Sequence, residues 1–517
     1  MLGAAVTEGE KSLGLSASGI ASRERLRSGA VLALFATLLV VVGPRHEPWF
    51  DESQAWILGR STTLWDLLTH RVGYEGTPGL WQALLWLLSH AGVPFGYMWV
   101  VSGALACGGA WIILTRAPFP FWLRVGVVFS YFIGYQYAVV ARSYALDLLV
   151  IPLIAATFAD RLRKPVLYGA VIGLCAHLNA HSFIIAVILF AEFLVAIWRE
   201  GGWQRTHLLG AAVFCVLSVT ALLFAWPPAE AGFAKEITPH GVRVVMMIGQ
   251  AFIDRWDVLS SSPPTEFSGM VGFALSMLLL VPSVLLFQRA GIAALVAALF
   301  FGLIFFSVVK YANVWHAGLL YLVWIFALWA GWGALPQLPA SERRLVVASV
   351  AIIVGVNVLY TANAAVREIR EPYSAGPAVA RVLAPLRQQG AVIAAAGVKT
   401  FAVQPWFDTN LFANYRNGAP HMAHYVFRSD ETFRPWVTLE SWRETTNNNS
   451  TYNVLLLSNY EVSPHMRERF AATARDAGYC EMAEVPGGLI WKSYVRERDG
   501  ILIFTRCAGA QPKAVHE

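Results

Sequence analysis

Long apolar segments, repeated along much of the chain, constrain its fold more than any other feature. A helix needs about 20 apolar residues to cross a bilayer. Hydrophobic residues make up 56% of the 517 residues and charged residues only 14%, against about 25% charged in soluble domains. The sequence therefore predicts an α-helical polytopic membrane protein. Its candidate spanning segments are 29–44, 79–92, 97–115, 121–140, 143–159, 165–180, 182–198, 207–227, 268–288, 291–309, 314–334 and 344–364.

Arginine and lysine in short loops predict how these segments are oriented, because positively charged loops remain in the cytoplasm. The basic N-terminal tail, residues 1–28, is predicted to be cytoplasmic, with segment 29–44 as a signal anchor. Loop 45–78 and the polar region 366–517 are then predicted on the extracytoplasmic side. The basic loops predicted inside are 116–124, 160–164, 198–205, 288–291 and 341–344.

The number of crossings depends on segment 79–92, which has only 14 residues and is bounded by Pro78 and Pro94. If both 79–92 and 97–115 crossed, the basic loop 116–124 would lie outside. We therefore predict that 79–92 is interfacial or re-entrant, which leaves 11 crossings. A missed crossing, which gives 13, is the alternative, and both counts place the C-terminal region outside.

Three regions follow from this pattern: a cytoplasmic tail (1–28), a membrane region (29–365) and a small extracytoplasmic α/β domain (366–517). The last region alternates helical and buried-strand patterns and lacks long apolar segments. Within it, helices are predicted at 376–389 and 464–477, strands at 391–397, 452–459 and 500–507, and a loop at 445–451.

Cysteines, glycosylation patterns and net charge bear on the environment of the chain. Cys480 and Cys507 can form a disulfide if the C-terminal region lies in an oxidising compartment. Asn448 and Asn449 follow the N-x-S/T acceptor pattern, which matters only in a host that has the transferase. The formal charge of +6 is explained by the cytoplasmic loops, so no nucleic-acid partner is predicted.

Two adjacent carboxylates, Asp51 and Glu52, follow the first apolar segment in the stretch PWFDESQAWILGR (48–60). The surrounding loop 45–78 is amphipathic and is predicted to lie on the membrane surface. A half-buried carboxylate in such a loop can act as a general base. The alternative is structural, because Asp51 can also cap the helix that begins after it.

Other polar residues at the ends of apolar segments are candidate partners of this pair. Glu75 precedes segment 79–92. Arg142 and Tyr144 lie between two apolar segments, where an arginine can bind phosphate or anchor the helix at the interface. Asp147, one turn further into the apolar segment, needs a partner, for which Arg142 is the candidate.

Histidines and a lysine at further boundaries give weaker signals. His177 and His181 are four residues apart and can ligate a metal, but a polar break between two helices is the favoured interpretation. Lys310 suits a polyprenyl phosphate or an interface anchor, and Tyr311 and His316 follow it. Loop 228–267 is long enough for a lid. Its charged residues include Lys235, Glu236, His240, Arg243, Asp254 and Arg255.

Three stretches, in order, resemble integral-membrane glycosyltransferases of the GT-C fold, a group that includes protein O-mannosyltransferases and lipid A aminoarabinose transferases. PWFDESQAWILGR resembles the first outer loop of the family, where an Asp, often Asp-Glu, follows the first helix. YEGTPGLWQALLWLL (74–88) is similar to its His-Pro-Pro-Leu stretch, with Thr-Pro-Gly in place of His-Pro-Pro. ARSYALDLL (141–149) resembles its Arg-x-Tyr-Ala element. The resemblance covers about residues 29–160.

The resemblance implies a plasma-membrane enzyme that moves a sugar from a polyprenyl-phosphate donor to an extracytoplasmic hydroxyl, with inversion. Asp51 would be the general base, Glu52 an auxiliary carboxylate, and Arg142 and Lys310 would hold the leaving phosphate. The acceptor, whether glycan, lipid or protein, and the sugar stay open. So does a divalent metal ion held by Asp51, Glu52 and Glu75. The further candidate substrate-binding residues are Glu75, Tyr144, Tyr311 and His316.

Two other functions stay open at this stage. A transporter or flippase of lipid-linked sugars would carry polar residues along a path through the membrane. The charged residues here cluster instead at predicted outer boundaries. A non-catalytic assembly or sensor protein of the cell envelope would use region 366–517 to bind a partner. That region shows no catalytic constellation in the sequence, and it can instead shape an acceptor site.

Overall fold

A computed structural model gives the structure of residues 5–507. It describes all of them except 201, 233–236, 238, 422, 432, 434–435, 448–450 and 459–463, and it describes side chains from residue 22 onward, apart from Pro464. Four residues singled out by the sequence lie outside the described residues. These are the glycosylation candidates Asn448 and Asn449, and Lys235 and Glu236 of the predicted lid.

The chain up to residue 370 folds into helices of two kinds, long apolar helices and short helices that join them. In the first part they are α1 (Ala5–Val42), α2 (Phe50–Arg60), α3 (Leu64–Asp66), α4 (Val72–Glu75), α5 (Leu80–His90), α6 (Met98–Arg116), α7 (Phe121–Val128), α8 (Tyr144–Phe158), α9 (Pro165–Ala176), α10 (Ala180–Arg199) and α11 (Arg205–Ala225). There follow α12 (Arg243–Ala251), α13 (Glu266–Arg289), α14 (Ala293–Val309), α15 (Ala317–Gly331) and α16 (Ala340–Arg370).

Seven helical stretches in the described part of the chain are long and apolar enough to cross a membrane. Helices α8, α9 and α14 are apolar but shorter. The protein is therefore membrane-embedded and helical, as the sequence predicts, while the count of 11 or 13 crossings stays a prediction. The seven stretches are Ser22–Arg45, Phe95–Arg116, Ala180–Arg199, Arg205–Ala225, Glu266–Arg289, Val314–Gln337 and Ala340–Arg370.

The prediction of one helix over 121–140 is wrong. Helix α7 ends at Val128, and after a turn the chain forms a single π-helical turn, Phe132–Gln136. The carbonyl of Phe129, released from the helix, accepts a hydrogen bond from Thr361 Oγ1 of α16 at 2.8 Å. Residues 130–141 are all buried, which is the condition under which irregular backbone is tolerated within a membrane protein.

The short helices α2 and α5 pack against each other beside the long ones. Segment 79–92 becomes the 11-residue helix α5, and its interfacial or re-entrant placement stays a prediction. Gly59 of α2 permits the close approach, because a Cβ there would lie 2.9 Å from the backbone nitrogen of Trp86. This contact fixes α2, whose first turn carries Asp51 and Glu52.

The described part of the C-terminal region combines three α-helices with two small sheets. The predicted helices and strands are confirmed as α17 (Gly376–Gln388), β1 (Ile393–Ala396), β2 (Val454–Ser458), α19 (Pro464–Asp476) and β6 (Ile501–Arg506). The elements not predicted are α18 (Leu439–Asn447), β3 (Tyr479–Val485), β4 (Gly488–Trp491) and β5 (Tyr494–Arg498). Residues 445–447 are thus helical where a loop was predicted.

The larger sheet has the order β1-β2-β6-β3, with β1 and β2 parallel and the other pairs antiparallel, and β4 and β5 form a separate hairpin. A disulfide joins Cys480 of β3 to Cys507, just after β6, across a Cα–Cα distance of 5.0 Å. It thereby links two paired strands of the sheet.

The β4–β5 hairpin inserts its tip among the membrane helices. Lys492 at the tip is fully buried, and its Nζ donates to the carbonyl of Gln250, at the end of α12, at 2.7 Å. The ring of Trp491 packs edge-on to Tyr131 at 5.3 Å, and the Tyr494 hydroxyl donates to Asp254 at 3.2 Å. The C-terminal region is therefore docked on the helices, with one of its hairpins wedged between them.

Candidate functional site

A cavity of about 410 Å³ lies where α2, the ends of several long helices and the C-terminal region meet. The sequence singled out seven candidate site residues that line it: Asp51, Glu75, Arg142, Tyr144, Lys310, Tyr311 and His316. Its other charged lining residues are Lys399 and Glu497. Aromatic side chains dominate the rest of the wall, among them Trp49, Trp81, Trp315, Phe306, Phe427 and Trp436.

Asp51 points into this cavity from the first turn of α2 and forms an ion pair with Arg142, with 2.9 Å between Oδ2 and a guanidinium nitrogen. The predicted capping role of Asp51 is wrong in detail. The cap residue of α2 is Trp49, and it is the Glu52 carboxylate that accepts the Trp49 N–H, at 3.2 Å. Burial raises the pKa of Asp51 above the usual 3.8, although Arg142 acts in the opposite direction.

Arg142 is held among three aromatic rings. Its guanidinium carbon lies 4.8 Å from the ring centre of Trp315, 5.4 Å from that of Tyr144 and 5.7 Å from that of Trp49. Such cation–π contacts are attractive and restrict where the guanidinium can go. Burial alone would lower the pKa of Arg142, but Asp51, together with Tyr144, Tyr311 and Glu52, outweighs it and the pKa is raised. Arg142 therefore remains a fixed cation beside Asp51.

Glu52 is not part of the cavity wall, and its side chain is completely buried behind it. Its carboxylate accepts the backbone N–H of Ala141 at 2.6 Å and contacts His46 Nε2 at 2.9 Å. Since Ala141 immediately precedes Arg142, Glu52 joins the start of α2 to the segment that carries the cation. The structure thus gives it a positioning role and does not bring it to the place of an auxiliary catalytic carboxylate.

Glu75 lies at the end of α4 and is held by two glutamine amides. Gln54 Nε2 donates to one carboxylate oxygen at 3.1 Å, and Gln82 Nε2 donates to the other at 3.2 Å. Burial raises the pKa of Glu75, and these two hydrogen bonds act in the opposite direction. Gln54 is itself fixed by the backbone of Tyr425 in the C-terminal region, through one bond given and one received.

Lys310, Tyr311 and His316 enter the cavity wall from the link between α14 and α15. The backbone N–H of Asn313 donates to His316 Nδ1 at 2.8 Å, so the neutral ring carries its proton on Nε2. The His316 ring stacks on His181, with 4.3 Å between ring centres. These contacts order the segment that follows α14, which begins with Lys310.

One sequence-based pairing is corrected by the structure. Asp147 does not pair with Arg142. It accepts hydrogen bonds from Ser182 Oγ at 2.6 Å and Asn179 Nδ2 at 2.8 Å, which join α8 to the start of α10. The metal alternative for His177 and His181 gains no support. His177 contacts Thr220, His181 stacks on His316, and in the described part of the chain no three metal-ligating side chains converge.

The predicted lid residues also lie elsewhere. Within the described part of loop 228–267, His240, Arg243, Asp254 and Arg255 are absent from the cavity wall. Arg255 pairs with Asp257 at 2.6 Å, and Asp254 accepts the bond from Tyr494 of the hairpin. This part of the loop therefore serves to dock the C-terminal region.

Sequence reasoning missed Lys399 and Glu497, the two charged residues that the C-terminal region brings to the cavity. Lys399 Nζ lies 3.4 Å from Glu497 and 5.7 Å from the ring centre of Trp49. Gly397, at φ +88°, turns the chain out of β1 just before Lys399. The stretch AAAGVKT contains a sequence signal for Lys399. A lysine that follows a buried strand and a glycine lies at the end of that strand, where the chain leaves the sheet.

No protein-family model, curated protein or solved structure matches this chain. The site has therefore to be interpreted from its own groups. They comprise a carboxylate–guanidinium pair, a second carboxylate held by amides, two lysines, a third carboxylate paired with one of these lysines, and several aromatic rings, between apolar helices and a polar region.

Proposed function

We propose that this protein is a membrane glycosyltransferase that moves a sugar from a polyprenyl phosphate to an acceptor hydroxyl, with inversion and with Asp51 as general base. The Asp51–Arg142 pair in a cavity between apolar helices and a polar region carries the proposal. A lipid-linked donor needs such a boundary, because its chain is apolar and its reacting end is charged.

The fixed position of Arg142 supports different roles for the cations of the cavity, one beside the base and the others at the phosphate. In an inverting displacement, the base and the leaving phosphate stand on opposite faces of the sugar ring. Arg142 is 2.9 Å from Asp51 and caged by aromatic rings, so it serves the base side. Binding of the phosphate is therefore assigned to Lys310 and Lys399, which line the same cavity. This differs from the role that the resemblance implies for Arg142.

The chemical step balances without a further reactant. Asp51 takes the proton of the acceptor hydroxyl, the acceptor oxygen bonds to the anomeric carbon, and the bond from that carbon to the phosphate oxygen breaks. The electron pair leaves with the phosphate, whose charge is stabilised by lysines in a cavity with aromatic walls. Arg142 keeps Asp51 oriented and opposes its premature protonation.

The remaining expectations of partner and place belong to the same proposal. The donor chain would lie among membrane lipids beside the apolar helices. The disulfide in the C-terminal region favours an oxidising compartment, and so an extracytoplasmic cavity in the plasma membrane. Glycan, lipid and protein acceptors all present the hydroxyl that the step requires.

The test is transfer by the purified protein in proteoliposomes, with radiolabelled polyprenyl-phosphate sugars and a cell-envelope fraction as acceptor. Asp51→Asn keeps the shape of the side chain but removes the base, so we expect transfer to fall by about 100-fold or more. The matched control is Asp66→Asn, a carboxylate of the same loop that pairs with Arg71 and does not line the cavity. It should retain the wild-type rate.

The pH profile gives a second readout of the same assignment. Transfer should fall as the pH falls through the pKa of Asp51, which burial places above that of an ordinary aspartate. Arg142→Met removes the group that lowers this pKa, so the acid limb should shift to higher pH. Full activity of Asp51→Asn would refute the base assignment, and movement of intact labelled lipid without transfer would favour a flippase.

A further inference from the structure

One end of the cavity has a chemistry that the proposed transfer does not use. It is built from Glu75, from Gln54 of α2, and from Trp81 and Gln82 of α5. Gln54, Trp81 and Gln82 are each at least nine-tenths buried, with 4%, 2% and 5% of their surfaces exposed. None of these residues is among the charges assigned to the base or to the phosphate.

Donors and acceptors at this end are only partly used within the protein. Glu75 accepts one amide hydrogen bond on each oxygen, and an ionised carboxylate can accept about four. Gln82 Oε1 and the indole N–H of Trp81 have no hydrogen-bond partner in the described part of the chain. Buried polar atoms normally have partners. The acceptor on Gln82 and the donor on Trp81, beside the Glu75 carboxylate, are therefore available to a ligand.

We propose that Glu75, Gln82 and Trp81 form a hydroxyl-binding subsite for a sugar ring. Two neighbouring hydroxyls donate to Glu75 and to Gln82 Oε1, and a ring or hydroxyl oxygen accepts from the Trp81 N–H. Gln54 holds the carboxylate in place through its own anchor on Tyr425. This deepens the proposed function and rests on it for the identity of the ligand as donor or acceptor.

Other ligand classes fit this end less well. A phosphate would face the Glu75 carboxylate, and an ammonium group could not accept the Trp81 N–H. A hydroxyl both donates and accepts. A polyol can therefore hydrogen-bond to Glu75, Gln82 Oε1 and the Trp81 N–H at the same time.

The experiment measures binding without any transfer, so it can fail independently of the proposed function. Methyl glycosides of hexoses and pentoses are titrated into the full-length protein in nanodiscs by saturation-transfer NMR, with cyclohexanol as a probe that lacks neighbouring hydroxyls. We expect at least one glycoside to bind and cyclohexanol not to bind. Glu75→Gln should weaken binding about tenfold or more, because a charged acceptor is lost. Gln82→Met and Trp81→Phe should each weaken it several-fold.

Controls separate local from global effects. Glu266→Gln and Gln288→Met change exposed residues that do not line the cavity, and they should bind like the wild type. Thermal unfolding of every variant shows whether it is folded. Trp81→Phe keeps an aromatic ring but removes the N–H group and part of the ring, so its weaker binding is interpreted together with that of Gln82→Met.

Competition then identifies the source of the sugar. If a polyprenyl-phosphate sugar displaces the glycoside and polyprenyl phosphate alone does not, the subsite holds the donor sugar. If glycoside and lipid bind together, it holds a carbohydrate acceptor. Both results support the subsite. Wild-type glycoside binding by folded Glu75→Gln, Gln82→Met and Trp81→Phe variants, or no glycoside binding by the wild type, would overturn it, even if Asp51→Asn abolishes transfer.

Discussion

A single histidine, His46, bridges two buried carboxylates, Glu52 and Glu368, behind the cavity wall. His46 Nε2 contacts Glu52 at 2.9 Å and its Nδ1 contacts Glu368 of α16 at 3.0 Å. Tyr135 donates to the same Glu368. Burial alone would lower the pKa of His46, but the two carboxylates raise it to about 10. The imidazolium therefore bridges α2 and α16, and through Glu52 it reaches the segment that carries Arg142.

Replacement of His46 by glutamine should destabilise the protein by about 3–5 kcal/mol, because two buried carboxylates lose their shared cation. The wild type should also show a pH dependence that the variant lacks. Below the unfolded pKa of about 6.5 the stabilisation is complete, and it is lost as the pH rises toward the folded value of about 10. Thermal unfolding of the protein in nanodiscs between pH 6 and pH 10 measures both effects.

The matched control for this prediction is His70→Gln. The side chain of His70 is 66% exposed and lies near Asp66, a surface pair that contributes little. Its unfolding should follow the wild type across the whole pH range. If His46→Gln kept the same decline in stability between pH 6.5 and 10, another group would be responsible for it.

The sequence identified many of the residues that line the cavity but not what each of them does there. Asp51, Glu75, Arg142 and Lys310 stand out because charges at the ends of apolar segments are conspicuous. Glu52 is as conspicuous as Asp51, and only the contact with Ala141 separates the two functions. Lys399 and Glu497 belong to a polar region where charge is ordinary. AAAGVKT gives a local signal for Lys399, whereas only the tertiary fold reveals Glu497.

Among the elements, the β4–β5 hairpin has the largest effect on how the two parts of the chain fit together. Its tip is buried among α12, α16 and the π-helical turn, and β5 carries Glu497 into the cavity. Trp491 is 2% exposed and packs against Tyr131 and Phe132. The hairpin therefore couples the docking of the C-terminal region to the completion of the site.

Trp491→Ala should weaken this coupling. Loss of a fully buried tryptophan costs about 3–5 kcal/mol, and the displaced hairpin should carry Glu497, the ion-pair partner of Lys399, away from the cavity. We expect a lower unfolding temperature, faster proteolysis of the C-terminal region and slower transfer. Trp203→Ala, at a residue that is 52% exposed, is the control. Unchanged proteolysis and transfer in Trp491→Ala would show that the hairpin does not anchor the region.

Elements with a strong local pattern were predictable, and those made by tertiary contacts were not. The buried strands β1, β2 and β6 are short apolar runs, which the sequence displays directly. Strands β4 and β5 flank Lys492, a buried lysine at φ +53°, and that turn depends on its contacts with the helices. The break after α7 likewise depends on Thr361, more than 200 residues away.

For the whole molecule, the disulfide bears on which side of the membrane the cavity faces. Cys480 and Cys507 are bonded, while Cys107, Cys175 and Cys215 are free thiols. Disulfides persist in oxidising compartments. The proposed orientation rests on this argument and on the basic loops predicted inside.

A labelling experiment tests this orientation. With the three free cysteines replaced by serine or alanine, Cys480 and Cys507 should be unreactive to a membrane-impermeant maleimide until they are reduced, and should then react in intact spheroplasts. Trp203→Cys, added to a background that also lacks Cys480 and Cys507, marks a loop predicted inside and should react only after permeabilisation. Reaction of Trp203→Cys in intact spheroplasts, with the reduced pair protected, would reverse the proposed orientation.

The division of the cavity between two parts of the chain also affects how the protein is made. Lys399 and Glu497 come after α16 in the sequence, so a ribosome has already delivered the described membrane helices when these two residues emerge. A chain stalled before residue 497 would be inserted but would lack the strand that brings Glu497 to the cavity. During biogenesis, the last strands would thus complete the cavity wall after the membrane helices are in place.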